Sequence, residues 1–383
     1  MHSILIVYEL IIKTITMNPN NYCIIMAGGV GSRFWPLSKK SKPKQFLDIL
    51  GIGKTLVQQT FERFIKICPI ENIFIVTSKE YAQLVFEQLP MLLKENVLLE
   101  PLIRNTAPCI AYASYKIHRI NPDANVVVAP SDHLILDEAK FLDIVTKGLS
   151  FVDDRNALLT LGIHPNRPET GYGYIQINPD IEVQTYDDDI KEISKVKTFT
   201  EKPNPEMAKV FFDSGEFFWN AGIFIWTLSS IITAFKVHLP EINTLFSDGV
   251  ELYNTAGEEE YVNRIYPQCK NISIDYGVME KAENVYVLCA DFGWSDLGTW
   301  GSLYENTGKD ANNNVVIAHN AILYDTSNCV INFPDDKLLV VQGLKDYIIV
   351  ESNNTLLICP MSNEQQIKQF VHDVKIQKGG DYI

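Results

Sequence analysis

Short, uniformly apolar runs alternate with amphipathic stretches of helical period, and this pattern limits the fold of the chain more than any other feature. "YCIIMA" (22–27), "NIFIVTS" (72–78), "NVLLEP" (96–101) and "ANVVVAP" (124–130) read as strands that are apolar on both faces. "LVQQTFERFIKI" (56–67), "EYAQLVFEQL" (80–89) and "APCIAYASYKIHRI" (107–120) read as the helices between them. A strand with no polar face has to be covered on both sides. The pattern therefore predicts a Rossmann-like α/β fold, with a mostly parallel sheet and helices on each face. Ligands of such sheets sit beyond the carboxyl ends of the strands. Gly28, Glu100 and Asp132 each fall just after such an end, which predicts that they line one crevice.

The texture changes near residue 310. From "NNNVVIAHNAILYD" to "NNTLLICP" the strands are short and are separated by Asn, Asp, Ser and Gly turns, with no helical period. This predicts a small C-terminal all-β piece, β-helix-like, over 311–383, behind a main domain over 17–310. A last amphipathic stretch, "SNEQQIKQFVHDV", offers Ser362 as its cap and Glu364 shortly inside it. At the other end, "MHSILIVYELIIKTIT" is apolar but too short to span a bilayer. Residues 1–16 read as a disordered extension or a misassigned start, with Met17 as the natural beginning.

A net charge of −14 excludes a broad basic face for nucleic acid but leaves room for a local basic site. The seven cysteines are scattered and form no CxxC pair. They read as reduced and buried, hence cytoplasmic.

The richest stretch is "MAGGVGSRFWPLSKKSKPKQF" (26–46). A glycine-rich turn between a strand and a helix lets backbone N–H groups converge on phosphate oxygens. The dinucleotide fingerprint fails, because Ser32-Arg33-Phe34 follow Gly31 with no third glycine. A P-loop fails for want of GxxxxGK[ST]. Arg33 and Lys44 remain beside Gly28, Gly29 and Gly31. A guanidinium grips phosphate bidentately and an ammonium adds a point charge, so these residues predict phosphate binding.

With "KPKQF" attached, this loop resembles the N-terminal motif of the sugar-nucleotide pyrophosphorylases. The wording of "RFWPLS" and "PKQFL" is most similar to members that act on mannose 1-phosphate. Further segments match in order: "EPLIRNTAP" (100–108), "APSDH" (129–133), "TGYGYI" (170–175), "FTEKP" (199–203), "FFWNAGIFIW" (217–226), "SIDYGVMEK" (273–281) and "WSDLGTW" (294–300). The resemblance covers roughly residues 22 to 360, and so many ordered matches make it specific. It implies a GT-A-type nucleotidyltransferase domain that transfers GMP from GTP to α-mannose 1-phosphate, giving GDP-mannose and pyrophosphate. A sugar-phosphate oxygen, already ionised at neutral pH, attacks the α-phosphorus. No triad or general base is needed, only alignment and charge neutralisation.

The resemblance also implies roles. Asp132 and Asp296 would hold Mg²⁺, and Arg33, Lys44, Asp132, Lys202 and Asp296 would form the catalytic set. Nucleotide contacts would come from Ala27, Gly28, Gly29, Gly31, Ser32, Arg33, Glu100, Pro101, Arg104, Asn105, Thr106 and Ser131, with Glu100 reading the guanine N–H pair. Sugar phosphate would meet Tyr172, Gly173, Glu201, Lys202, Asn220, Ala221, Gly222 and Asp275. Several of these have blander readings. Asp132 alone is a turn or cap aspartate, Gly171 and Gly173 are bulge glycines, and Asn105 or Thr106 is a helix cap. His133 reads as structural. The partners implied are GTP and mannose 1-phosphate, with no nucleic acid and no membrane, in a homodimer. The alternatives are transfer to another hexose or a heptose 1-phosphate, or a non-catalytic regulatory paralogue. A dinucleotide-dependent oxidoreductase is disfavoured by the broken glycine fingerprint.

Overall fold

A computed structural model describes residues 17–29, 31–183 and 192–383. The reading of residues 1–16 as an extension lies outside them. The chain forms two compact units. The first takes the described residues up to Gly28, then Phe61–Pro130 and Ile135–Trp294, and the second takes Gly29–Thr60, Ser131–Leu134 and Ser295–Ile383. The chain passes between units at Gly28–Gly29, Thr60–Phe61, Pro130–Ser131, Leu134–Ile135 and Trp294–Ser295.

The first unit carries a nine-stranded sheet. In chain order its strands are β1 (Asn21–Met26), β2 (Ile73–Ser78), β3 (Val97–Glu100) and β4 (Asn125–Pro130). After the short β5 (Leu134–Ile135) come β6 (Leu158–Ile163), β7 (Gly173–Ile177), β8 (Ile193–Glu201), β9 (Phe217–Thr227) and β10 (Val285–Cys289). The spatial order is β3-β2-β1-β4-β9-β6-β10-β8-β7. β3, β2, β1 and β4 are parallel, as their unbroken apolar runs require. β9 runs antiparallel to both β4 and β6, while β6 and β10 are parallel again. The α/β class of the sequence reading is borne out, with antiparallel pairing in the second half of the sheet. Because β9 runs against β4, with Val128 opposite Phe224, its residues Asn220–Gly222 lie level with the carboxyl end of β4.

The helices are set by their ends. Asn105 caps Thr106–Ile120, Asp137 caps Glu138–Val152 and Asn204 caps Pro205–Ser214, each accepting a backbone N–H. Pro205 begins the last of these and Gly215, left-handed at φ 70°, ends it. The core of this unit joins strand residues Ile24, Phe74, Val126 and Trp226 to helix residues Ile110, Ile117, Ile231 and Phe235. Burying one such side chain contributes about 1.5–3 kcal/mol.

After β11 (Trp294–Ser295), the second unit holds β12 (Val315–Ile317), β13 (Ala321–Tyr324), β14 (Val330–Asn332), β15 (Leu339–Gln342), β16 (Tyr347–Ser352) and β17 (Thr355–Pro360). β12, β14 and β16 stack in parallel, and so do β13 and β15. β17 adds antiparallel to β16. Leu323 and Val341 face Cys329, Ile331 and Ile349 across a narrow apolar interior, the β-helix-like piece predicted from sequence. A larger core joins Phe34, Trp35, Leu47 and Leu56 to Trp300, Val315, Ile348 and Ile367. Residues 29–60 therefore share a core with the C-terminal strands, a grouping that a division at 310 does not contain. The final helix is Ile367–Lys378, preceded by a 3₁₀ turn at Met361–Gln366. Ser362 is inside that turn and does not cap the helix. Glu364 instead accepts the N–H of Gly301 at 2.7 Å.

All seven cysteines are free thiols, six of them buried. Among the described residues, no helix is long and apolar enough to cross a membrane.

Candidate active site

In the second unit the glycine loop is built around Lys44. Gly31 has φ 67°, and a Cβ there would stand 2.5 Å from the Lys44 Cβ. Glycine is therefore needed twice over, for its left-handed backbone and for close approach. Lys44 is only 4% exposed. Its ammonium donates to Asp132 Oδ2 at 2.8 Å, to the Asp296 carbonyl at 2.8 Å and to the Leu297 carbonyl at 3.0 Å. Three N–H bonds thus meet three acceptors and draw both predicted carboxylate segments onto one cation. Burial raises the Asp132 carboxyl, but the charges of Lys44 and His133 outweigh it and hold the group below the usual carboxylate range. Asp296 Oδ1 accepts the Gly298 N–H at 2.8 Å. Arg33 Nη1 lies 3.5 Å from the Gly298 carbonyl, and its buried Nε has no hydrogen-bond partner among the described residues. Ser32 opens the 3₁₀ turn Ser32–Phe34, and the carbonyl of buried Ser131 accepts from Thr60.

Two residues here were given no role in the sequence reading. Gln45 donates to the Gly29 carbonyl at 2.8 Å and pins the loop. Lys368, on the C-terminal helix, has its pKa lowered first by the charge of Arg33 and then by burial. Two like charges brought together in this way favour an anion between them. Gly31→Ala is expected to lower stability by about 1–2 kcal/mol from the left-handed backbone alone. It should also cut turnover by more than the stability loss accounts for, because Lys44 has to move. Denaturant unfolding and initial rates on the same protein check this.

In the first unit Glu100, at the end of β3, is 5% exposed. Tyr266, fully buried, donates its hydroxyl to Glu100 Oε1. The other oxygen, Oε2, lies 3.4 Å from where a Gly28 Cβ would be. The structure thus brings Glu100 to Gly28. Burial pushes the Glu100 carboxyl up to about 7, against the opposing Tyr266 hydrogen bond. With the folded pKa above the unfolded one, the folded state holds more protons between about pH 4.5 and 7. Its stability therefore falls as pH rises through that window. Glu100→Gln removes this dependence. Without nucleotide, the variant should match wild type near pH 5 and exceed it by about 1–3 kcal/mol at pH 8, read by urea unfolding.

The neighbouring predicted contacts are occupied by protein partners. Arg104 donates to the Pro267 carbonyl at 2.9 Å, and the Asn105 carboxamide accepts the Thr106 N–H as the helix cap. The Thr106 hydroxyl accepts the Ile274 N–H at 2.9 Å. Pro101 is half-buried after β3. Ala27 continues the parallel ladder, donating to the Val76 carbonyl.

The predicted sugar-phosphate residues converge in the same unit. Asn220 is held on three sides. Its Oδ1 accepts from the Thr160 hydroxyl at 2.9 Å and from the Gly222 N–H at 3.1 Å, and its Nδ2 donates to Asp275 Oδ1 at 2.9 Å. Gly222 turns left-handed there, at φ 66°, with Ala221 buried beside it. Thr160, fully buried, sits where the β6–β9 register shifts, and sequence reasoning missed it. Asp275 opens a single π turn, Asp275–Met279. Burial first, then the nearby Glu201 charge, lift its carboxyl to about 6. Lys202, left-handed at φ 49°, pairs with Glu201. Burial lowers its pKa, but Glu201 and Asp275 more than offset that and hold the ammonium charged. A Cβ on Gly173 would run into the Glu201 carboxylate. Tyr172 stands edge-on to both Trp219 and Trp294, with ring centroids 5.1 Å apart in each case.

The donor set suits a hard cation. The Lys44 ammonium meets Asp132 through its carboxylate and Asp296 through its backbone carbonyl, and among the described residues no group of three or more His, Cys, Asp or Glu could hold a metal. Two oxygen ligands that leave the remaining positions to phosphate and water match the habit of Mg²⁺, not of zinc.

An α/β sheet together with a glycine loop folded round a buried lysine suits a nucleotide-handling transferase. The nucleotidyl transferase family matches residues 22–313, and the MannoseP isomerase/GMP-like beta-helix domain matches 319–374. The chain belongs to the nucleotidyl transferase family and is an enzyme of that class. It is 34% identical over 362 residues to a mannose-1-phosphate guanylyltransferase of Klebsiella pneumoniae, covering 94% of this chain and 75% of that one. It is 34% identical over 357 residues to the alginate biosynthesis protein AlgA of Pseudomonas aeruginosa, covering 92% and 72%. The crystal structure of mannose-1-phosphate geranyltransferase from Thermus thermophilus superposes with a TM-score of 0.81 at 28% identity, covering 93% of this chain and 99% of that one.

Proposed function

We propose that this enzyme transfers GMP from GTP to α-mannose 1-phosphate, releasing pyrophosphate and forming GDP-mannose. The observation that carries this reading is the Lys44 ammonium, buried and shared between Asp132 and the Asp296–Leu297 backbone at the foot of the glycine loop. The sugar-phosphate oxygen forms a bond to the α-phosphorus as the bond to the pyrophosphate oxygen breaks, and the electron pair leaves with pyrophosphate. The nucleophile is already an anion, so the chain has only to orient and neutralise. Arg33, with Lys368 beside it, grips the leaving pyrophosphate, and Lys44 neutralises the phosphates being joined. Lys202 holds the sugar phosphate, while Asn220, Glu201 and Asp275 accept and donate to sugar hydroxyls. Tyr172 walls the sugar side, and Glu100 accepts from guanine.

Mg²⁺, held by Asp132 and Asp296, would supply further positive charge to the phosphates when bound. The cytoplasm and a homodimer belong to the same reading. Ile322 and Val340, exposed and paired across β13 and β15, give the dimer an apolar face, and sedimentation velocity decides it. The substrate pair is tested by offering GTP with mannose 1-phosphate, glucose 1-phosphate or a heptose 1-phosphate and identifying the product by NMR. GDP-mannose as the dominant product supports the reading. Faster turnover of another sugar overturns the substrate and leaves the transfer chemistry.

A further inference from the structure

We propose that Tyr266 is a positioning residue for nucleotide selection: its hydroxyl takes one oxygen of Glu100 and leaves the other, turned toward Gly28, to the base. The inference rests on the reading of Glu100 as the guanine acceptor and goes beyond it. Nothing in the motif around Glu100 points to Tyr266, which lies 166 residues away in sequence.

The geometry is specific. Tyr266 is fully buried, in the 3₁₀ turn Tyr266–Gln268 that follows the helix Glu258–Ile265. Its ring stands edge-on to Phe246 at 6.1 Å, so the hydroxyl has a fixed direction. A carboxylate that accepts from a base edge through its one remaining oxygen has to be held in a single orientation and kept ionised. A hydroxyl donated to Oε1 does both, since it fixes the carboxyl and favours its charged form. With the burial that lifts this carboxyl to about 7, the Tyr266 bond sets where the site becomes an acceptor. A protonated Glu100 presents an O–H to the base and loses the match to guanine.

The other groups facing this pair do not titrate in the same range. Burial pushes the Cys109 thiol, from the helix Thr106–Ile120, well up, and the neighbouring Glu100 charge adds to it. Burial lifts Cys269 to about 11 despite the nearby Arg104, and Tyr266 itself is pushed up by burial and by Glu100. Arg104, whose charge acts on Cys269, is held on the Pro267 carbonyl.

The test is the ratio of kcat/KM for GTP to that for dTTP, measured from pH 6 to 8.5 on the full chain. Phosphate and sugar-site titrations cancel in this ratio. In wild type it should rise about tenfold between pH 6 and 8, as one carboxyl ionises. Tyr266→Phe should move that rise upward by about one pH unit, lowering the ratio about five- to tenfold at pH 7 and restoring it to within about twofold at pH 8.5. A purely structural role predicts a uniform loss with no shift in pH. Glu100→Gln should lower the ratio at all pH values and flatten the profile. If Glu100→Gln leaves the ratio unchanged, the guanine reading itself falls. If it lowers the ratio while Tyr266→Phe keeps the wild-type profile, only the role of Tyr266 falls. Should Tyr266→Phe fail to fold, a wild-type ratio that stays flat with pH still overturns the proposal.

Discussion

Replacing Lys44 with Met should reduce pyrophosphate release by roughly 10³-fold and weaken the nucleotide-free protein by about 2–4 kcal/mol. The two losses have one origin. Lys44 is almost wholly buried, and its ammonium satisfies a carboxylate and two carbonyls. Without it, Asp132 keeps its charge but loses the cation that offsets its burial. The carbonyls of Asp296 and Leu297 lose a donor. The loss falls below that for a fully buried pair because the Asp132 side chain is 28% exposed. Methionine keeps the length and apolar stem of lysine, so contacts along the chain survive and the charge alone is tested. Denaturant unfolding and steady-state rates should both move. A variant that unfolds like wild type would show that the pair contributes little, and one that turns over like wild type would remove Lys44 from the chemistry.

Asn220→Ala should act on the other substrate. Its carboxamide is fully committed on one side, accepting from Thr160 and Gly222, and it also donates to Asp275. Alanine leaves the buried Thr160 hydroxyl and the Asp275 carboxyl without that partner. The expected cost is about 2–3 kcal/mol of stability. The same loss frees the residues that face the sugar. kcat/KM for mannose 1-phosphate should fall about 100-fold, while KM for GTP changes less than about threefold. Equal effects on both substrates would mean that Asn220 holds the fold without selecting the sugar. Asn220→Asp is a useful companion, because it keeps the acceptor for Thr160 and sets a charge against Asp275.

How much of this was legible depends on the kind of information each residue carries. β1, β2 and β4 could be read directly, because a run such as "YCIIMA" with no polar face has only one kind of place to go. The antiparallel course of β9 could not. "FFWNAGIFIW" is apolar on both faces in either direction, and periodicity carries no sign of orientation. Lys44, Asp132 and Asp296 could be singled out because each stands in a recognisable local string. That the Lys44 ammonium would bind both of the other segments could not be read, since two of its three acceptors are backbone carbonyls, which every residue has. Thr160 and Tyr266 are a threonine in a strand and a tyrosine after a helix, with no local motif. Their meaning lies in contacts 60 and 166 residues away. The Ser362 cap shows the reverse failure. The local pattern was right for a helix cap, but Glu364 turns to the Gly301 N–H and a 3₁₀ turn takes up the helix start.

The most direct test of the account is pyrophosphate release by wild type and by Asp132→Asn, with Mg²⁺ and mannose 1-phosphate and with GTP, ATP, UTP, CTP or dTTP offered in turn. The account predicts fast release with GTP alone, reduced at least about 10²-fold in Asp132→Asn. Release that is indifferent to the base, or undiminished in the variant, would contradict it.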